Sequence, residues 1–147
     1  MRPTRPVRLV LMSSVSVHRP ARLDNHRGAF ERAFLWLLRA LLPPARDNQL
    51  AADFLEEKIG AGHTFVQWAV VRPDTLLEGE VSAYTLYEGL VNELFAPGQT
   101  NFANVAHFMC ELAIDPKAWA DWQGKYPVIV NVAAAKGGEP ESGPPAA

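Results

Sequence analysis

Apolar positions along the chain change period several times, and each change marks an element. Residues 7–12 (VRLVLM) form a short, partly β-branched apolar run closed by Ser13 and Ser14, the pattern of a strand covered on both faces. From Arg27 the spacing turns helical. Phe30, Phe34, Leu37, Leu38 and Leu41 recur at i, i+4, i+7, i+8 and i+11, and Pro43-Pro44 stop the run, because an interior proline lacks the N–H that the helical ladder needs. Ala33, Trp36 and Ala40 make this helix apolar round most of its girth, so it calls for a second burial partner. Asp47 opens another helix, with Leu50, Ala51, Phe54, Leu55 and Ile59 on one face, Asp53, Glu56 and Glu57 on the other, and Gly60 and Gly62 as the stop. The pair predicts a helical hairpin over 30–59.

Residues 65–71 (FVQWAVV) read as a second buried strand, ended by Arg72-Pro73-Asp74 since proline cannot continue a central strand. Between 78 and 98 the signal is mixed: Val81, Tyr84 and Leu86 point to short strand pieces, and Pro97-Gly98 to a turn. Asn101 is placed to cap a helix running to Ile114, with Phe102, Val105, Ala106, Met109, Cys110 and Ala113 on its apolar side and Asp115-Pro116 at its end. Residues 127–132 (PVIVNV) are a third strand. The tail 133–147 carries no core-forming residue larger than alanine and is expected to be disordered, leaving one folded domain over 1–132. Strand, hairpin, strand, helix, strand is an α/β order. Apolar strands joined by long crossovers imply a three-layer, partial Rossmann-like parallel sheet with strands near 7–13, 65–72 and 127–132. Three strands make a narrow sheet, so the expectation is the C-terminal half of a doubly wound domain, or a sheet completed by another chain.

Composition narrows the partners. With 14 Lys+Arg against 16 Asp+Glu in 147 residues the formal net charge is -2, which gives no general grip on nucleic acid or an anionic membrane. A single cysteine, Cys110, excludes an intramolecular disulfide framework and the usual Cys-based zinc sites, and fits a reducing, cytoplasmic compartment. The most apolar run, 33–42, contains Arg39 and is far shorter than the roughly 20 residues of a membrane span. Arg2, Arg5 and Arg8 look transit-like, but Pro3 and Pro6 break any amphipathic helix there, so no targeting peptide is read. The many-sided apolar helix and the open sheet edges make a homo-oligomer through the 30–59 hairpin the expected association.

Two strand ends hold the candidate chemistry. Ser13 and Ser14 close a parallel strand at its C-terminal end, where α/β folds place ligands, although the same hydroxyls can simply satisfy strand-end backbone groups. In Arg72-Pro73-Asp74 the proline fixes the turn, Arg72 can pair with an anion, and Asp74 can cap or touch a ligand; a plain strand terminator is the other reading. A right-handed crossover would bring Arg72 and Ser14 to one cleft. His107, Cys110 and Glu111 share a helix face, but no second ligand pair recurs, so a packed face is read and no metal site is predicted. His18, His26 and His63 have no nucleophile near them in sequence, and of the three phenols Tyr84 and Tyr87 lie where they could reach a cleft.

The segments VRLVLMSSVSV, DNQLAADFLEEKIG, FVQWAVVRPDTLLEG, TNFANVAHFMCEL and YPVIVN, in that order, resemble the C-terminal half of an atypical short-chain dehydrogenase/reductase. The resemblance spans 6–132. It implies a Rossmann fold that takes NAD or NADP, with the Arg72-Pro73 turn and Asp74 beside the nicotinamide, Ser13 in the cofactor cleft and Ser14 in the catalytic position. It also exposes two departures. No strand here leads into a Gly-rich turn of the kind that lets a helix N-terminus approach a pyrophosphate: Gly60-Ala61-Gly62 follows a helix, and Gly137-Gly138 lies in the tail. Aligning Asp53 with the acid of the family's catalytic helix puts Ala45 and Gln49 where a Tyr-x-x-x-Lys pair would stand. The resemblance therefore implies an NAD(P)-binding, oxidoreductase-like protein in a truncated form, with a non-catalytic interaction or nucleotide-sensing module as the alternative.

Overall fold

A computed structural model describes residues 5–17, 28–41, 43–92 and 97–132. His18, His26 and the tail 133–147 lie outside them, as do the side chains of Leu38 and Arg39. The elements run β1 (Val7–Met12), α1 (Ala29–Leu41), α2 (Pro43–Phe54), continued by a π-helical turn over Leu55–Ile59, β2 (Val66–Pro73), β3 (Thr75–Leu77), β4 (Tyr84–Tyr87), β5 (Gln99–Asn101), α3 (Phe102–Ile114), α4 (Pro116–Trp122) and β6 (Val128–Asn131).

The main sheet has the order β1-β2-β6-β4. β1 lies parallel to β2 in register from Val7 opposite Val66 to Met12 opposite Val71, and β2 is parallel to β6. The three expected strands are therefore parallel neighbours. A fourth corrects the picture of a purely parallel sheet: β4 returns antiparallel along β6, with Tyr84 opposite Asn131. Its four residues alternate too briefly to declare a direction from sequence. β3 and β5 make a separate two-stranded parallel ribbon.

Helices cover both faces, giving three layers. On one side α2 and its π-helical turn seat Ala52 and Leu55 against Trp68, Val70, Val17 and Tyr126. On the other, α3 and α4 seat Val105, Phe108, Leu112 and Trp119 against Ala69, Val71 and Ile129. Alternate residues of β2 thus feed opposite cores, as the two-residue period of a strand requires.

The hairpin differs from expectation in its faces. Pro43 opens α2, where a missing N–H costs nothing, so Pro43-Pro44 begin a helix instead of only ending one. Ala52 and Leu55 point inward while Leu50 and Phe54 are exposed. On α1 the buried residues among the described side chains are Glu31 and Leu35, whereas Phe30, Phe34, Trp36, Leu37 and Leu41 are exposed. A helix apolar on several sides carries no unique inside, and α1 makes its main contact with α2. Asp115 ends α3 as expected and also caps α4, its carboxylate accepting from the Lys117 and Ala118 N–H groups. No helix among the described residues is long and apolar enough to cross a membrane.

Candidate functional site

The C-terminal ends of β1 and β2 form one corner. The Ser13 N–H donates to the Val71 carbonyl over 2.8 Å, and the Val15 N–H to that of Pro73 over 3.2 Å, so the ladder carries past the end of β1. Ser14 then turns the chain: its Oγ accepts from the Ser16 N–H at 3.1 Å and its carbonyl from the Val17 N–H. This is a serine turn, the bland role open to that hydroxyl, and Ser14 remains half-buried at the corner. Ser13 is different. It is 7 % exposed, and its Oγ is buried with no hydrogen-bond partner among the described residues, an unusual state for a hydroxyl.

Met12 pairs with Val71, so the next step of the register sets Ser13 beside Arg72. Strand alternation puts both on the α2 side, the side of Leu11 and Val70. It is thus Ser13, more than Ser14, that shares a face with Arg72. The Arg72 side chain has no solvent exposure. Its Nε and Nη2 donate to the Tyr126 carbonyl at 3.0 and 2.8 Å, its Nη1 to the Val17 carbonyl at 3.2 Å, and the guanidinium lies 5.7 Å from the Tyr126 ring centroid. A forked donor that grips two carbonyls is a strut between the loop after β1 and the entry to β6.

Asp74 also clamps a loop. One oxygen accepts from the Thr75 N–H at 2.9 Å; the other accepts from the Gly98 N–H at 2.8 Å and the Asn92 amide at 3.3 Å. Pro73 ends β2 with its ring in the ladder and its carbonyl holding Val15. The corner therefore has one hydroxyl, that of Ser13, buried without a partner among the described residues, and around it Arg72 and Asp74 fix the loops that frame it.

Sequence reasoning did not find an amide cluster further along the same edge. Asn104, fully buried, donates to Asn131 Oδ1 at 2.8 Å and Ser82 Oγ at 3.0 Å and accepts from the Ser82 N–H at 2.8 Å. Asn101 and Asn131 exchange two further bonds. Asn101 thus caps nothing with its side chain, which donates instead to the Glu80 carbonyl. On the outer face of α3 the Tyr84 hydroxyl donates to Glu111 Oε2 at 2.8 Å and lies 2.9 Å from His107 Nδ1. Its one proton being committed, the imidazole N–H must serve the second contact. Burial first, then the Glu111 carboxylate as acceptor and as charge, hold the phenol well above the ordinary tyrosine value. Among the described residues no three His, Cys, Asp or Glu side chains gather for a metal ion.

Gln49 donates to Asp53 at 2.9 Å.

No protein-family model and no curated protein sequence matches the chain. Solved structures do. The fold is similar to that of a short-chain dehydrogenase/reductase (wide type) from Veillonella parvula DSM 2008 in complex with NADP, with a TM-score of 0.53, 13 % identity, 88 % of this chain and 52 % of that one covered. It is likewise similar to chuY from E. coli strain CFT073, with a TM-score of 0.52, 16 % identity, 86 % of this chain and 57 % of that one covered. The fold is thus a partial Rossmann-like α/β fold, and the chain spans little more than half the length of either neighbour.

Proposed function

We propose that the chain is the substrate-side half of an NAD(P)-binding, oxidoreductase-like protein of the atypical short-chain dehydrogenase/reductase type, truncated with respect to the glycine-rich cofactor turn. The observation that carries the reading is the Ser13 hydroxyl, buried without a partner among the described residues at the C-terminal end of a parallel strand, the edge where α/β sheets take ligands. Ser13, and Ser14 beside it, would hold the reacting end of a dinucleotide and its substrate, while Arg72, Pro73 and Asp74 shape the rim.

These residues do not fit a whole dinucleotide. The Arg72 donors reach backbone carbonyls, Asp74 is acidic, and the glycines of 60–62 follow a helix, so nothing described can meet a pyrophosphate as a glycine turn does. That shortfall, with Gln49 and Ala45 at the Tyr-Lys positions, favours a second reading, a non-catalytic nucleotide-sensing or interaction module in the cytoplasm.

Titrating NADP(H) into the isotope-labelled chain tests the first reading. The expected result is weak binding, with a dissociation constant above about 100 μM, that moves amide signals of residues 13–17 and 72–75. A low-micromolar constant would mean that no further half is needed. Signals unmoved at millimolar ligand would sink the dinucleotide reading and leave the interaction module.

A further inference from the structure

His107 and Glu111 stand one turn apart on α3, the i, i+4 spacing by which a helix can offer two ligands to one ion. In the sequence that pair lacks a third ligand, and the topology supplies one. β4 sets Tyr84 opposite Asn131 on β6. There its ring lies edge-on to the His107 imidazole, centroids 5.9 Å apart, and tilted against buried Phe108 at 6.4 Å, so packing holds the phenol over α3. The polar atoms make a small triangle. Tyr84 Oη is 2.8 Å from Glu111 Oε2 and 2.9 Å from His107 Nδ1, and those two are 3.7 Å apart. Among the described residues the side-chain polar atoms of these three bond only to one another.

We propose that Tyr84, His107 and Glu111 bind a divalent transition-metal ion of the zinc or copper kind, as three ligands of a shell that water completes. Size is the first reason. Bonds of about 2.1 Å give donor-to-donor edges of about 3.0–3.4 Å in octahedral and tetrahedral shells. The triangle here, with edges of 2.8, 2.9 and 3.7 Å, therefore has a point about 2.1 Å from all three donors, just off their plane. Chemistry is the second. One imidazole nitrogen with two anionic oxygens suits zinc or copper(II), whereas calcium takes about six to eight oxygens. The His107 and Glu111 side chains are 45 % and 44 % exposed, which gives water access to the remaining positions. As the ion binds, the phenol proton passes to the buffer and the imidazole carries its own proton on Nε2. Carboxylate and phenolate then balance the two positive charges. None of the strand-end residues takes part, so the nucleotide reading can fail without touching this site.

Isothermal titration of zinc into the whole chain, in a buffer that does not chelate, tests it. One ion per chain is expected, with a dissociation constant of about 10–100 μM, since the ion has to displace a phenol proton that Glu111 holds. The ultraviolet difference signal of a tyrosinate rises with the heat, and magnesium produces neither. Copper(II) binds tighter than zinc, as the order of divalent affinities requires. His107→Gln and Glu111→Gln keep a hydrogen-bonding group beside Tyr84, so circular dichroism stays put while each weakens zinc binding about tenfold or more. Tyr84→Phe removes the tyrosinate signal, and Cys110→Ser leaves the affinity unchanged. No heat and no tyrosinate signal at millimolar zinc overturns the proposal, as does binding that survives both glutamine variants. Loss of binding with Cys110→Ser, or with His18 and His26 replaced, would give the ion to other ligands and overturn it equally.

Discussion

A guanidinium with no exposure must spend its donors on protein, and Arg72 spends them on Val17 and Tyr126. Arg72→Met keeps the stem and strands those carbonyls in the interior. It is expected to cost about 3 kcal/mol in urea unfolding, and Arg72→Lys recovers little because a single ammonium cannot reproduce the fork. Ser13 is the opposite case. Its hydroxyl satisfies nothing among the described residues, so Ser13→Ala should leave stability unchanged or raise it by up to about 1 kcal/mol, while reducing the NADP(H)-induced signal shifts at the strand ends. A loss of more than 1 kcal/mol would mean that the hydroxyl has a structural duty. Both residues were legible from their place at strand ends. Their division of labour was not, because alternation assigns a side chain to a face and says nothing of which carbonyls stand there.

At the scale of elements, β4 is attached to β6 by a four-residue ladder and to α3 by the Tyr84 hydroxyl. Tyr84→Phe is expected to cost about 1 kcal/mol at neutral pH. The pH dependence follows from the raised phenol. A proton bound more tightly in the fold than in the unfolded chain contributes fully below the ordinary value of 10.0 and is lost as pH climbs beyond it. The wild type therefore weakens above about pH 10 more steeply than the Phe variant, and superimposable alkaline unfolding curves would remove Tyr84 as the cause. Gly124 sets the turn before β6 with φ at 70°, and a Cβ there would stand 2.8 Å from the Ala61 Cβ; Gly124→Ala should cost about 1–2 kcal/mol by thermal unfolding. The parallel strands could be read from their apolar runs and the long crossovers between them. α4 hid behind Asp115-Pro116, which reads as a stop and is also a start. The Asn101, Asn104 and Asn131 cluster depends on residues that only the finished topology makes neighbours.

For the molecule as a whole, the three-layer order was written in the sequence, and the orientation of α1 was not: with apolar groups on several sides, burial is decided by what lies next to the helix. The strand-end corner has a kinetic side too. Arg72 reaches 55 residues back to Val17 and 54 residues on to Tyr126, and contacts that distant repay their loop-closure entropy only when both flanks have arrived. On the ribosome the corner therefore has to wait for Tyr126 to emerge, and any nascent chain stalled short of it can pair β1 with β2 while the buried Arg72 guanidinium still lacks the Tyr126 carbonyl that takes two of its donors.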